Sequence, residues 1–288
     1  MFPDFLGIGA QKAGTTWLYQ NLAAHPQIWM PPVKELHYLD HKPQSLPVRL
    51  LSRKNFLRKA KVHLRQNLIA TLKGEPDANL DWAMRYCLWR RTDEWYGALF
   101  PKIEGKISGE VCPGYARVGL VDVEHVHRLM PNAKVIYLIR NPVERAWSAL
   151  AMHFRKPRFG EIAEYSEEEI TARFDSPRSQ RHCAYSTNID GWEKYYPDGK
   201  MLVGFFDDLE RDPRYLLRTI LEFLEIDAGD DVISTNVGER RNPGRSEVIP
   251  PAVERFLARR LIDEVRSLHA RFNNEYTKGW LDDTEALL

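Results

Sequence analysis

The sequence is short of cysteine, of long apolar runs and of any excess of one charge. Its three cysteines, Cys87, Cys112 and Cys183, stand far apart with no CxxC pair, which argues against a disulfide framework or a Cys/His structural zinc site. No apolar run approaches the 18 or so residues of a membrane helix, so no transmembrane segment is expected. Met1-Phe2-Pro3-Asp4 runs directly into a strand-like segment with no basic-then-apolar leader, and the expectation is a cytoplasmic enzyme. A net charge of +1 over 288 residues speaks against a nucleic-acid partner drawn in by bulk positive charge. No internal repeat or low-complexity linker is visible. What is present, 43% hydrophobic and 28% charged residues, suffices for one sizeable core.

Strand and helix patterns alternate. Phe5 to Ala10 (FLGIGA) is an apolar run ending in small residues, and a helical pattern starts at Thr15 with Trp17, Leu18 and Leu22. Lys134 to Ile139 (KVIYLI) reads as a buried strand. It is followed by a helix through Ala151, with Asn141 as N-cap, Pro142 at the first helical position and Glu144 completing a capping box. Ile107 to Val111 and Lys200 to Phe206 are further strands, each with a helix behind it, near Val121 to Met130 and at Leu216 to Leu224. A last helix spans about Ala252 to Phe272. The expected fold is α/β: one P-loop-like domain over 1–288, with a mostly parallel central sheet flanked by helices on both faces. Two insertions interrupt it, a basic helical one at 42–106 and a polar, lid-like one at 155–185. Lys42 to Lys73 carries no acidic residue; it is either the solvated face of an amphipathic helix with a Leu57, Leu64, Leu68 and Leu72 stripe or a site for an anionic acceptor.

The loop Gly9-Ala10-Gln11-Lys12-Ala13-Gly14-Thr15-Thr16 has the small residues and following helix N-terminus of a phosphate cradle. It lacks the spacing of an ATP loop: in GxxxxGK[ST] the lysine follows the second glycine, and here Thr15 stands there while Lys12 lies in mid-loop, where its ammonium could meet a leaving-group oxygen. A glycine turn with an incidental lysine is the plainer reading. Arg140, after the inner strand, and Ser148, eight residues on, form a second candidate anion site; a salt bridge by Arg140 is the alternative.

Taken together, Gln11 to Leu18 (QKAGTTWL) and Arg140 to Ser148 (RNPVERAWS) resemble the PAPS-dependent sulfotransferase family. The likeness continues through Pro31 to Leu39 (PPVKELHYL), Gly109 to Tyr115 (GEVCPGY) and Ile189 to Leu209. It implies that Lys12, Ala13, Gly14, Thr15, Thr16 and Trp17 bind the 5′-side phosphate of PAPS. It assigns the 3′ phosphate to Arg140 and Ser148, with Arg240, Arg241 and Gly244 closing over it. Lys34-Glu35-Leu36-His37 falls where the carbohydrate and membrane-type branch carries its catalytic glutamate, so the likeness is closer to that branch than to the small-phenol branch. Val111 stands where heparan-type relatives often have lysine, so their acceptor contacts are not transferred.

The expected function is therefore transfer of a sulfuryl group from PAPS, leaving PAP, to a hydroxyl or amine of a carbohydrate, lipid or secondary metabolite. Lys12 would neutralise the departing oxygen in place of a metal, and none is expected. Glu35 is the first choice of base and His37 the second; a Glu35 carboxylate merely paired with Lys34 is the alternative. Competing readings are a P-loop nucleotide kinase, with Asp207 ending a magnesium-binding strand, and an inactive nucleotide-binding relative. Acceptor identity and oligomeric state stay open.

Overall fold

A computed structural model describes residues 1–40, 62, 64–66, 68–69, 79–154, 165–197, 199–233, 236–238 and 248–288. Five strands form one sheet: β1 (Phe5–Gly9), β2 (Ile28–Trp29), β3 (Ile107–Val111), β4 (Lys134–Ile139) and β5 (Met201–Phe205), in the order β2-β3-β1-β4-β5. Every pairing is parallel. All five residues of β1 and the last five of β4 are buried. Neighbouring side chains on a strand face opposite ways, so burial in unbroken succession means that both faces of the sheet are covered.

The covering helices include α1 (Thr15–Ala24), α2 (Leu80–Leu88), α3 (Asp93–Ala98), α4 (Leu120–Leu129), α5 (Pro142–Phe154), α6 (Glu167–Phe174), α7 (Pro177–Cys183) and α8 (Tyr185–Glu193). They continue with α9 (Phe206–Arg211), α10 (Pro213–Phe223), α11 (Pro251–Phe272) and α12 (Glu275–Glu285). The start of α5 follows from its sequence: the Asn141 side chain accepts the Val143 N–H at 2.9 Å, and Pro142 occupies the first turn, where a missing N–H costs nothing. Glu144 does not complete the capping box. Its carboxylate is taken by Arg140, at 2.6 Å, because a guanidinium one turn back is a stronger partner than a backbone N–H.

The main core joins the sheet to α1, α8, α10 and α11. Residues of the 42–106 insertion belong to it as well: Trp82, Tyr86, Trp95, Tyr96 and Phe100 are all buried there, with Trp82 and Tyr86 stacked at 5.1 Å. At about 1.5–3 kcal/mol for each large apolar side chain withdrawn from water, α2 and α3 are structural rather than appended. Most of the basic stretch lies outside the described residues; of its leucine stripe, Leu64 packs against the core and Leu68 is 46% exposed. The polar 155–185 segment contributes Ile170, Phe174 and Cys183 to a second cluster with α5 and α11. The elements not foreseen include the two-residue β2, helices α6 to α9, and helix α12, which buries Thr277, Trp280 and Thr284.

Strand order fixes where a ligand site can lie. From β1 the chain passes through α1 toward β2 on one side, whereas from β4 it passes through α5 toward β5 on the other. The crevice between the carboxyl ends of β1 and β4 is the switch point of the sheet.

Candidate active site

The loop after β1 is stitched to its neighbour at that crevice. Ala10 donates its N–H to the Leu138 carbonyl at 2.5 Å, two residues before Arg140. Lys12 and Gly14 both hold left-handed backbone, at φ 76° and 83°, a conformation that costs a residue with a Cβ about 1–2 kcal/mol. Gly14 is the N-cap of α1 and offers no side chain to its N–H groups, so the first amides of the helix face the crevice side of the loop with their partial positive charge. A β-carbon at Gly14 would stand 2.6 Å from Leu209 Cδ2, a side-chain end that would have to turn aside, so φ is the stronger reason for glycine here.

The residues expected in this loop divide. Lys12, Gly14 and Thr16 are half-buried and Thr15 is buried. Ala13 is buried and its N–H is already donated to the Ala10 carbonyl at 3.1 Å. Trp17 lies in the core and donates its indole N–H to the Val237 carbonyl at 2.6 Å, so only its backbone amide is left to face an anion. Arg140 stands just past β4, its guanidinium over the Phe206 ring at 4.5 Å and paired with Glu144. Ser148 is half-buried, about two turns into α5. Arg240, Arg241 and Gly244 lie outside the described residues.

The segment 34–40 meets the loop directly. Lys34 Nζ lies 3.1 Å from Thr16 Oγ1 and 3.1 Å from Glu35 Oε1, joining the phosphate loop to the carboxylate. Glu35 Oε2 lies 3.3 Å from His37 Nε2, and His37 Nδ1 lies 3.1 Å from Asp40. Burial works against charge on both Glu35 and His37, but the partners win. His37 and Lys34 hold the Glu35 carboxyl below its ordinary range, while Asp40, Cys112 and Glu35 push His37 up to about 12. At neutral pH the pair is therefore carboxylate and imidazolium. His37 Nδ1, Asp40 and Cys112 Sγ also lie within 4.8 Å of one another, the one such grouping among the described residues. Arg117, 3.4 Å from Asp40, sets a permanent cation against the same carboxylate, which disfavours a metal ion there.

Several residues that hold this segment carry no sequence signal. Arg91 donates to the Leu36 and His37 carbonyls at 2.8 and 2.7 Å. Glu110, within β3, points into the protein, only 1% exposed, with the Tyr96 and Tyr115 hydroxyls on its carboxyl. Asp207, the residue a kinase would need for magnesium, is the acceptor of the Trp280 indole N–H at 3.0 Å and lies in a helix.

Comparison with known proteins bears on family and fold. A search of curated proteins matches mouse heparan sulfate glucosamine 3-O-sulfotransferase 6, 28% identical over 136 residues, covering 45% of this chain and 39% of that one. It also matches bifunctional heparan sulfate N-deacetylase/N-sulfotransferase 1 of Xenopus tropicalis, 26% identical over 236 residues, covering 78% of this chain and 22% of that one. The matches thus span well under half the length of these relatives. Among solved structures, a sulfotransferase from Alicyclobacillus acidocaldarius superposes with a TM-score of 0.66 over 97% of this chain and 99% of that one at 22% identity. A mouse sulfotransferase complexed with PAP gives 0.52 over 99% and 89% at 13% identity; likenesses at such identities speak to the fold. The family model described as "Sulfotransferase family" matches residues 3–230, the stretch that holds both phosphate-loop candidates and the 34–40 segment, and the chain belongs to that family.

Proposed function

We propose that this chain transfers a sulfuryl group from PAPS to a hydroxyl or amine of a carbohydrate, lipid or secondary-metabolite acceptor by in-line displacement, with PAP as the second product. The observation that carries the reading is Lys34, which holds Thr16 of the phosphate loop and Glu35 together at 3.1 Å each. A carboxylate able to take a proton thereby stands beside a cradle built for an anion.

The residue types at both candidate anion sites support this reading. The left-handed turn at Gly14, the uncapped start of α1 and Thr15 and Thr16 suit the 5′-side phosphate, and Arg140 and Ser148 suit the 3′ phosphate. PAPS supplies an activated sulfur whose bond to the bridging phosphate oxygen breaks as the acceptor oxygen or nitrogen bonds to it. Lys12 is assigned to neutralise the departing oxygen, the duty a metal ion performs in kinases. Glu35, ionised at neutral pH, receives the acceptor proton. His37, which Asp40, Cys112 and Glu35 hold toward its protonated form, is assigned instead to donate to Glu35 and hold its bearing. A metal is not needed on this reading. A reducing, cytoplasmic setting is part of it, supported by three buried free thiols.

Glu35→Gln tests the assignment. The loss expected for a general base is on the order of 100- to 10,000-fold in kcat, with PAP still raising the melting temperature in the absence of magnesium. Turnover within a few-fold of wild type would remove Glu35 from the mechanism. Stabilisation by ATP and magnesium alone would favour a kinase.

A further inference from the structure

Leu36 sits between two residues in left-handed backbone, Glu35 at φ 64° and His37 at φ 54°. Neither is glycine, and each such residue stores on the order of 1–3 kcal/mol that the surroundings must offset. The surroundings are a clamp from two sides. The Leu36 N–H is donated to Glu110 Oε1 at 2.8 Å, and the Leu36 and His37 carbonyls are taken by Arg91. That N–H belongs to the peptide unit joining Glu35 to Leu36, so fixing it fixes the plane from which the Glu35 side chain projects.

Glu110 is itself held. Tyr96 donates to Oε2 at 2.6 Å, and Tyr115 donates to Oε1 and Oε2 at 3.0 and 3.1 Å while accepting the Tyr38 N–H at 3.0 Å. All three side chains are at most 1% exposed, which leaves Glu110 no contact with solvent or with an acceptor. A buried carboxyl costs several kcal/mol unless its hydrogen bonds are supplied; here the Leu36 N–H and the Tyr96 and Tyr115 hydroxyls supply them, and Tyr115 also holds the Tyr38 N–H of the same segment.

We propose that Glu110 is a positioning residue for sulfuryl transfer: through the Leu36 amide it sets the bearing of Glu35, with Tyr96 and Tyr115 fixing Glu110 in turn. The proposal rests on Glu35 being the base. Without Glu110 the Glu35–Leu36 peptide is free to leave the left-handed conformation, and a displacement of about 1 Å at a reacting group is worth roughly 100-fold in rate. The donor loop keeps its own holds, the left-handed turn at Gly14 and the Ala10 N–H on the Leu138 carbonyl, so donor binding is expected to be retained.

The test is a double-mutant cycle on kcat, with KM for PAPS and thermal stabilisation by PAP read in parallel. Glu110→Ala is expected to lower kcat by roughly 10- to 100-fold with KM for PAPS and the PAP-induced melting shift unchanged. Glu110→Gln, which keeps an oxygen for the Leu36 N–H, restores most of the rate. Because Glu110 acts through Glu35, adding Glu110→Ala to Glu35→Gln costs nothing further. Should Glu110→Ala fail to fold, Tyr96→Phe with and without Glu35→Gln makes the same cycle with a milder change. Wild-type kcat in the Glu110→Ala or Tyr96→Phe enzyme, or an additive loss on top of Glu35→Gln, overturns the proposal while leaving the base assignment standing. Unimpaired Glu35→Gln overturns both.

Discussion

Replacing Gly14 by alanine should damage the donor loop in an amount that the structure allows to be worked out. The backbone there has φ 83°, and moving a residue with a Cβ into that region costs about 1–2 kcal/mol. The new methyl would also meet Leu209 Cδ2 at 2.6 Å, with the Phe206 ring at 3.6 Å. Overpacking of this kind costs about 1–3 kcal/mol, toward the low end here because a leucine terminus can turn aside. The two together come to about 2–4 kcal/mol, which lowers the melting temperature by roughly 3–7 °C in a chain of this size. Since the same turn aims the first amides of α1, PAP binding should weaken by at least about tenfold, equivalent to 1.4 kcal/mol. Calorimetry supplies both quantities. In a Leu209→Ala background the steric part disappears and the cost of Gly14→Ala falls by about 1 kcal/mol, leaving the backbone part. An unchanged melting temperature and PAP affinity in the single variant would refute the loop geometry; an unchanged cost in the Leu209→Ala background would refute the packing account.

The remaining expectations concern charge. His37 is raised from its ordinary value to about 12, so the stability it contributes is whole below about pH 6.5 and drains away as pH climbs toward 12. His37→Asn should flatten the alkaline side of the stability profile, measured by denaturant midpoints against pH. The same variant removes a hydrogen bond that keeps Glu35 low, so the acid limb of kcat should move to higher pH; a limb that moves lower, or stays, contradicts the pairing. Glu144 occupies Arg140 at 2.6 Å and is itself anionic beside the proposed 3′-phosphate site. Glu144→Gln should therefore tighten PAP a few-fold, the scale of a pair worth about 0.2–1 kcal/mol, and weaker binding would show that Glu144 orients Arg140 rather than competing for it.

The sequence carried the parts whose signals are local. The strand at Lys134 to Ile139 was readable because an unbroken apolar run ends at Arg140-Asn141-Pro142, where capping chemistry marks the next helix. The loop at Gly9 to Thr16 was readable because its glycine, small residues and lysine differ by position from an ATP loop. Features that depend on distant partners were not. Strand β2 is two residues long and exists only because Ile28 and Trp29 pair with Ile107 and Ser108. Helix α12 hides its apolar contacts in a polar stretch, with Trp280 reaching back to Asp207. The Glu144 capping box failed for a related reason, since propensity rules describe a helix end without the arginine one turn before it. The hold of Glu110 and Arg91 on Leu36 and His37, and the left-handed backbone at Glu35 and His37, become visible only when β3, the residues before α3 and the 34–40 segment meet.

Sulfuryl transfer assisted by Lys12 is the central step, and labelled-sulfate transfer from PAPS over a panel of carbohydrate, lipid and small-metabolite acceptors measures it directly. Label is expected on at least one acceptor in the presence of a chelator, with a drop of on the order of 100- to 1,000-fold in the Lys12→Ala enzyme, the scale of one lost charge-stabilising donor. Transfer that survives Lys12→Ala undiminished, or a labelled acceptor that appears only when a divalent metal is added, would contradict it.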